Sequence, residues 1–394
     1  MKSQLAPMLS ILACAFFALS AVITGAAARE ADAYLIPLDP SAYTEFQDLT
    51  HAWCRDAVAL CCQAGLLRGR TADRFDEKSA LTNAQITVIT ARLYARLTGS
   101  SEPLTAENGA PWYSPSYALL KSIMPEVIQR EMELESSHIP GISNRPCSRA
   151  AFAALLAGVL KAADVSLPAK NGIGSLPDTT SPDETLLYQA GVLAGTDPYG
   201  FFHGAAPLTR RQAASMLARL VDPGARMEVT LEPFDFFEQV FGVSSDAVLL
   251  SIDGEALAAD VCGGELSSFL LREVMANGHA PAEALELSAA DYCREIAAPL
   301  ALADEQGLSL TQEELDRALS SAQAMAGYMG RSAGSWCHEL CREALAAKVE
   351  RTFQDGSFYA AVNAKCSELR VERSAAFQAL DAEAIYANYS RFFL

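Results

Sequence analysis

Three segments of the 394-residue chain open a helix in the same way: ALTNAQITVITARLYARLTG (80–99), PCSRAAFAALLAGVLKAAD (146–164) and PLTRRQAASMLARLVDP (207–223). Thr82, Ser148 and Thr209 each offer a side-chain oxygen to an orphan N–H of a first helical turn. Thr82 with Gln85, and Thr209 with Gln212, have capping-box spacing. Apolar stripes at helical period follow each cap: Ile86/Ile89/Leu93, Phe152/Leu155/Leu156/Val159 and Ala213/Met216/Leu217/Leu220. A unit of this size cannot bury its own apolar face, so the repeats must share a core. The spacing predicts a mainly α protein built on three helix–loop–helix units.

The stretches upstream match as well. In the first unit Trp53, Ala57, Leu60 and Cys61 share a helical face, and Gly65 suits a left-handed C-cap. The third unit aligns Asp178 with Asp48, Gly191 with Gly65 and Gly195 with Gly69. The middle unit keeps PWYSPSYALL and PCSRAAFAALL but lacks the glycine-spaced loop. Arg149 and Arg210 stand directly after a cap, at the positive end of the helix dipole, where a cation costs about 0.3–1 kcal/mol. Free helix-start N–H groups beside such a guanidinium would make an anion site. The same arginines could instead pair with internal acids and tie the bundle together.

These units resemble S-layer homology (SLH) domains, whose motif runs Phe-x-Asp, Trp, a Gly-x-x-x-Gly loop, Phe, then Thr-Arg-Ala-Glu. The third unit carries the resemblance best. Repeats are assigned to 45–99, 111–164 (degenerate) and 174–223. The resemblance implies a pseudo-three-fold helical bundle that binds anionic cell-wall polysaccharide. It places polysaccharide-binding roles on Arg149, Arg210, Asp48, Asp178, Trp53 and Thr209, with core packing as the other reading of Trp53. Asn83 replaces the motif arginine in the first unit, and Gln85, Ala151 and Gln212 replace its glutamate.

Residues 224–244, with Pro223 beside them and Pro233 and Gly242 within, read as a linker holding one short helix near 234–240. AVLLSIDGEALAADV then gives an alternating strand, an Asp253-Gly254 turn and a short return. Helices follow to about Phe353, with a Thr311–Glu314 capping box and a break at Pro299. A last strand within 366–377 and a terminal helix complete the chain. A hairpin followed by long helices is similar to the N-terminal chaperone segment of extracytoplasmic foldases of the SurA and PrsA type. Those usually carry a parvulin isomerase domain, and too few residues separate Phe353 from Cys366 to hold one. Residues 245–394 are thus expected to form a chaperone-like helical domain with a small β-hairpin, whose partners would be unfolded exported proteins.

The first 28 residues, with Lys2, an apolar run and Ala26-Ala27-Ala28, read as a signal peptide. A lipoprotein signal at Cys14 and an uncleaved anchor are the alternatives. No later apolar run reaches the roughly 18 residues of a spanning helix, so no membrane insertion is expected after cleavage. A net charge of −18 without a basic tract argues against nucleic acid. Ten cysteines, nine beyond the signal, are an odd set for a complete disulfide framework. Cys337 and Cys341 share a helix face, but further metal ligands are missing. His51, His138, His203, His279 and His338 have no triad or metal spacing, and no nucleophile elbow, phosphate loop or dinucleotide fingerprint occurs. The expectation is a non-enzymatic extracellular protein of the cell wall or S-layer, in a Gram-positive-type envelope, with no cofactor and no metal. The alternatives are an extracytoplasmic chaperone whose repeats serve as scaffold, and a wall-modifying enzyme whose site carries no recognisable motif.

Overall fold

The caps read from the sequence start helices in the computed structural model, which describes residues 34–100, 106, 109–133, 145–195, 197–353 and 356–393. The signal peptide, Cys14 and His138 lie outside the described residues. The repeats supply α1 (Ala52–Gln63), α2 (Asn83–Thr98), α3 (Ser114–Ile123), α4 (Pro125–Glu131), α5 (Arg149–Ala162), α6 (Pro182–Gln189) and α7 (Arg210–Val221). Thr82 and Gln85 form the full reciprocal capping box, and Ser148 accepts from Ala151 N at 3.1 Å. Gly65 and Gly191 both take φ 74° just past α1 and α6, the left-handed turn-off that a Cβ would oppose.

The chain divides into two compact units that do not follow the repeat ranges. One comprises the residues up to Asp76 with Ala214–Arg226. Within it Leu49, Val58, Cys61, Phe75 and Leu217 are buried. The Cys61 thiol donates to the Ala214 carbonyl at 3.2 Å, which joins α1 to the body of α7.

The other unit comprises Glu77–Ala213 and Met227–Leu394. In it α2 packs on α3 and α5, and α5 on α4 and α6. The later part holds β1 (Val248–Ile252), β2 (Glu255–Ala258), α8 (Ala259–Met275), α9 (Pro281–Tyr292), α10 (Ala298–Glu305), α11 (Gln312–Ala324), α12 (Ala333–Glu350), α13 (Ser357–Glu368), β3 (Val371–Arg373), α14 (Ala375–Gln378) and α15 (Ala382–Phe393). Asp253 and Gly254, both with positive φ, turn β1 into β2. Strand β3 returns antiparallel on the other side of β1, with Leu250 opposite Arg373. Pro299 lies in the first turn of α10, directly after a π-helical turn at Cys293–Ala297.

The 224–244 span is more than a connection. It contains a π-helical turn at Phe237–Phe241. Phe236, Phe237, Val240 and Phe241 are buried in one core with Leu250, Leu266, Tyr292, Ile385 and Phe392, and Phe201 of the third repeat joins them. Each such side chain contributes about 1.5–3 kcal/mol by leaving water, so this stretch helps build a core and is not the linker its composition predicts. In the short interval after α12 the chain forms helix α13, which packs on α10.

Candidate anionic-ligand site around Arg149

The residues just before the three caps form a ring of backbone hydrogen bonds. Leu81 N donates to Leu208 O at 2.9 Å, Leu208 N to Cys147 O at 2.8 Å, and Cys147 N to Leu81 O at 2.8 Å. The positions after the caps repeat the pattern outside the ring. Asn83 N reaches Arg145 O at 3.0 Å, Arg149 N reaches Ala206 O at 3.0 Å, and Arg210 N reaches Ser79 O at 2.9 Å. One residue further, Ala150 N bonds Gly204 O at 2.9 Å and Arg211 N bonds Glu77 O at 3.0 Å. The cap side chains take the next amide: Thr82 from Gln85, Ser148 from Ala151, and Thr209 from Gln212 at 3.4 Å.

This arrangement corrects the expectation that helix-start amides stand free for an anion. At α5 and α7 the first three N–H groups are bonded within the protein, so an unsatisfied donor set is not what a ligand would find there. Thr209 caps α7, and its hydroxyl donates to Gln212 Oε1 at 2.8 Å. Any anion recognition rests on the side chains.

Arg149 is 7% exposed. Its Nε donates to Phe202 O at 2.9 Å, and its guanidinium carbon lies 4.7 Å from the centre of the Phe202 ring. Among the described residues no hydrogen bond or ion pair reaches its terminal Nη1 and Nη2. Burial lowers its pKa, opposed by Tyr188, Asp178 and Glu184. Glu184 is 4% exposed, and its Oε2 is buried with no hydrogen-bond partner. Burial pushes Glu184 above the usual carboxylate range; a hydrogen bond with Thr179 opposes the rise and the charge of Asp178 adds to it. A guanidinium and a carboxyl group with unused hydrogen-bonding capacity therefore lie in one buried polar neighbourhood. That chemistry suits a carboxylate or hydroxyl-rich ligand more than an apolar one.

Asp178 holds this neighbourhood in place. Its Oδ1 accepts from Phe202 N at 3.0 Å and its Oδ2 from His203 N at 2.6 Å. Phe202 is thus held at both of its backbone groups, by Asp178 at the N–H and by Arg149 at the C=O. Asp48 does the same work in the first unit, accepting from Phe75 N at 2.8 Å and Asp76 N at 2.7 Å. Burial opposes the charge of Asp48, but those two N–H groups hold its pKa below the ordinary value. Both aspartates organise loops, each carboxylate oxygen accepting one backbone N–H.

Arg210 is buried to the same degree as Arg149, 7% exposed. Trp53 lies on the surface, 55% exposed, with its ring 6.4 Å from that of His51, so the core reading of Trp53 is replaced by an exposed aromatic face. Trp112, equally exposed and next to the start of α3, is its counterpart in the second unit. The PWYSPSY phrase was the available signal for Trp112. Nothing local marks Glu184, which is brought beside Arg149 only by the packing of α6 on α5.

Among the described residues no group of three or more His, Cys, Asp or Glu side chains is arranged to hold a metal ion, and no helix is long and apolar enough to cross a membrane. No protein-family model matches the chain, and no curated protein matches it.

Proposed function

We propose that the three repeats anchor an exported protein to the bacterial cell wall by binding an acidic polysaccharide at Arg149, and that residues 245–394 are a non-catalytic module displayed there. The observation that carries this reading is a nearly buried guanidinium whose two terminal nitrogens have no partner among the described residues. The ring of bonds linking the three helix starts supports a pseudo-three-fold bundle of the SLH kind. Trp53 and Trp112 supply exposed aromatic faces of the sort on which sugars stack. Sedimentation of the full chain with purified walls tests the reading, before and after chemical removal of the anionic polysaccharide. Charge-assisted bonds are worth about 1.5–3 kcal/mol each, so Arg149→Ala should weaken binding roughly tenfold or more, with Arg149→Lys between. Undiminished binding by a folded Arg149→Ala protein refutes the assignment.

A second reading, client binding by the C-terminal module, draws on Leu315 and Leu319. They are one turn apart on α11 and 40% and 46% exposed. If they hold unfolded chains, the full-length protein should suppress aggregation of a denatured client, and Leu315→Glu with Leu319→Glu should abolish that effect.

A further inference from the structure

The nine cysteines among the described residues form no disulfide. Two pairs bring their sulfurs within 4 Å: Cys337 with Cys341 at 3.9 Å, and Cys293 with Cys366 at 3.3 Å. The first pair sits one turn apart on α12. A helix keeps such Cβ atoms about 5–6 Å apart, whereas a disulfide needs about 3.5–4.5 Å, so that pair could not close without unwinding the helix. The second pair has no such restraint. Cys293 begins the π-helical turn after α9, Cys366 lies in the last turn of α13, and the two are separated by 73 positions. Their sulfurs need to approach by little more than 1 Å to reach bonding distance.

We propose that Cys293 and Cys366 are a disulfide site, oxidised by thiol–disulfide exchange with a disulfide-bearing oxidant, either a small molecule or a protein. Cys366 is half-buried and Cys293 is 6% exposed, so access selects Cys366 as the first nucleophile. Its thiolate attacks the oxidant, forms a mixed disulfide and releases one thiol. Cys293 Sγ then attacks Cys366 Sγ and releases the second thiol. Two protein thiols are oxidised and one external disulfide becomes two thiols. In the reduced protein, burial of Cys293, with Cys366 beside it, pushes its thiol up to about 12, which further disfavours Cys293 as the first nucleophile.

The bond would fasten α13 to the π-helical turn a few residues before β3 enters the sheet. Cys366 packs against the small core of Ala298, Leu302, Val349 and Val362, so the staple would also close that core. This inference stands apart from wall binding and holds or fails without it.

The test uses the full-length protein, either reduced or treated with oxidised glutathione, then alkylated and digested with trypsin. Cleavage after Arg272, Arg294, Lys365 and Arg370 places the two cysteines on the peptides 273–294 and 366–370. The expected result is these two peptides joined, two fewer alkylated thiols, and a melting temperature raised by roughly 5 °C or more over the reduced form. Cys366→Ser should lose the cross-link and the gain in melting temperature, while melting like the reduced wild type. Full alkylation of both cysteines after oxidation overturns the proposal.

Discussion

Asp48 and Asp178 perform one task in two repeats: each carboxylate spans two successive backbone N–H groups, those of Phe75 and Asp76 or of Phe202 and His203. In both loops the second donor has positive φ, 63° at Asp76 and 52° at His203. A non-glycine residue is costly there, and the bidentate carboxylate compensates. Asp48→Asn and Asp178→Asn should therefore each destabilise the protein by about 1–3 kcal/mol, since an amide accepts through only one oxygen and places its NH2 against a backbone donor. Denaturant midpoints check this. If both variants match wild type, the loops are held by something other than the aspartates.

The start of α11 gives a pH signature. Glu314 closes the capping box by accepting from Thr311 N at 2.7 Å, and it pairs with Lys348 of α12 at 2.7 Å. The Lys348 bond, then the Thr311 amide, lower its pKa from the ordinary 4.5 to about 2. A carboxyl group depressed in the folded state stabilises fully above its unfolded pKa and loses that contribution as pH falls through the folded value. The melting-temperature gap between wild type and Glu314→Gln should thus be constant from pH 7 down to about 5. It should shrink below 4.5 and close near 2. A gap that persists at pH 2 would show that the charge of Glu314 is not what stabilises this helix start.

What the sequence revealed of this molecule was local. Thr82–Gln85, Thr311–Glu314, Asp253-Gly254 and Gly65 act over two to four residues, so spacing alone places their caps and turns. The surroundings of Arg149 depend on partners far along the chain: Phe202 is 53 positions away, and the amides assumed to be free are bonded to Ala206 and Gly204. No period in the sequence encodes those pairings. The aromatic run around Phe236 was hidden differently. Flanking prolines and glycines mark a linker when read by composition, whereas the burial of its rings depends on α15, which begins more than a hundred residues later.

Phe392 of α15 stacks on Phe201 of the third-repeat loop at 5.1 Å and meets the edge of Phe234 at 4.9 Å, while Tyr199 lies 6.1 Å away. Phe392 is 6% exposed and Phe201 is fully buried, so the end of the chain packs into the same core as a repeat loop. Truncating a buried phenylalanine costs about 3–5 kcal/mol through lost transfer energy and the cavity left behind. Because Phe201 immediately precedes the Phe202 peptide held by Arg149, the damage should spread from the C-terminal helix to the candidate site. Phe392→Ala should lower the unfolding midpoint and also increase amide exchange at Phe202 and His203, whose N–H groups Asp178 protects. Exchange at those two amides that stays at the wild-type level in Phe392→Ala would mean that the third-repeat loop keeps its shape without the terminal helix.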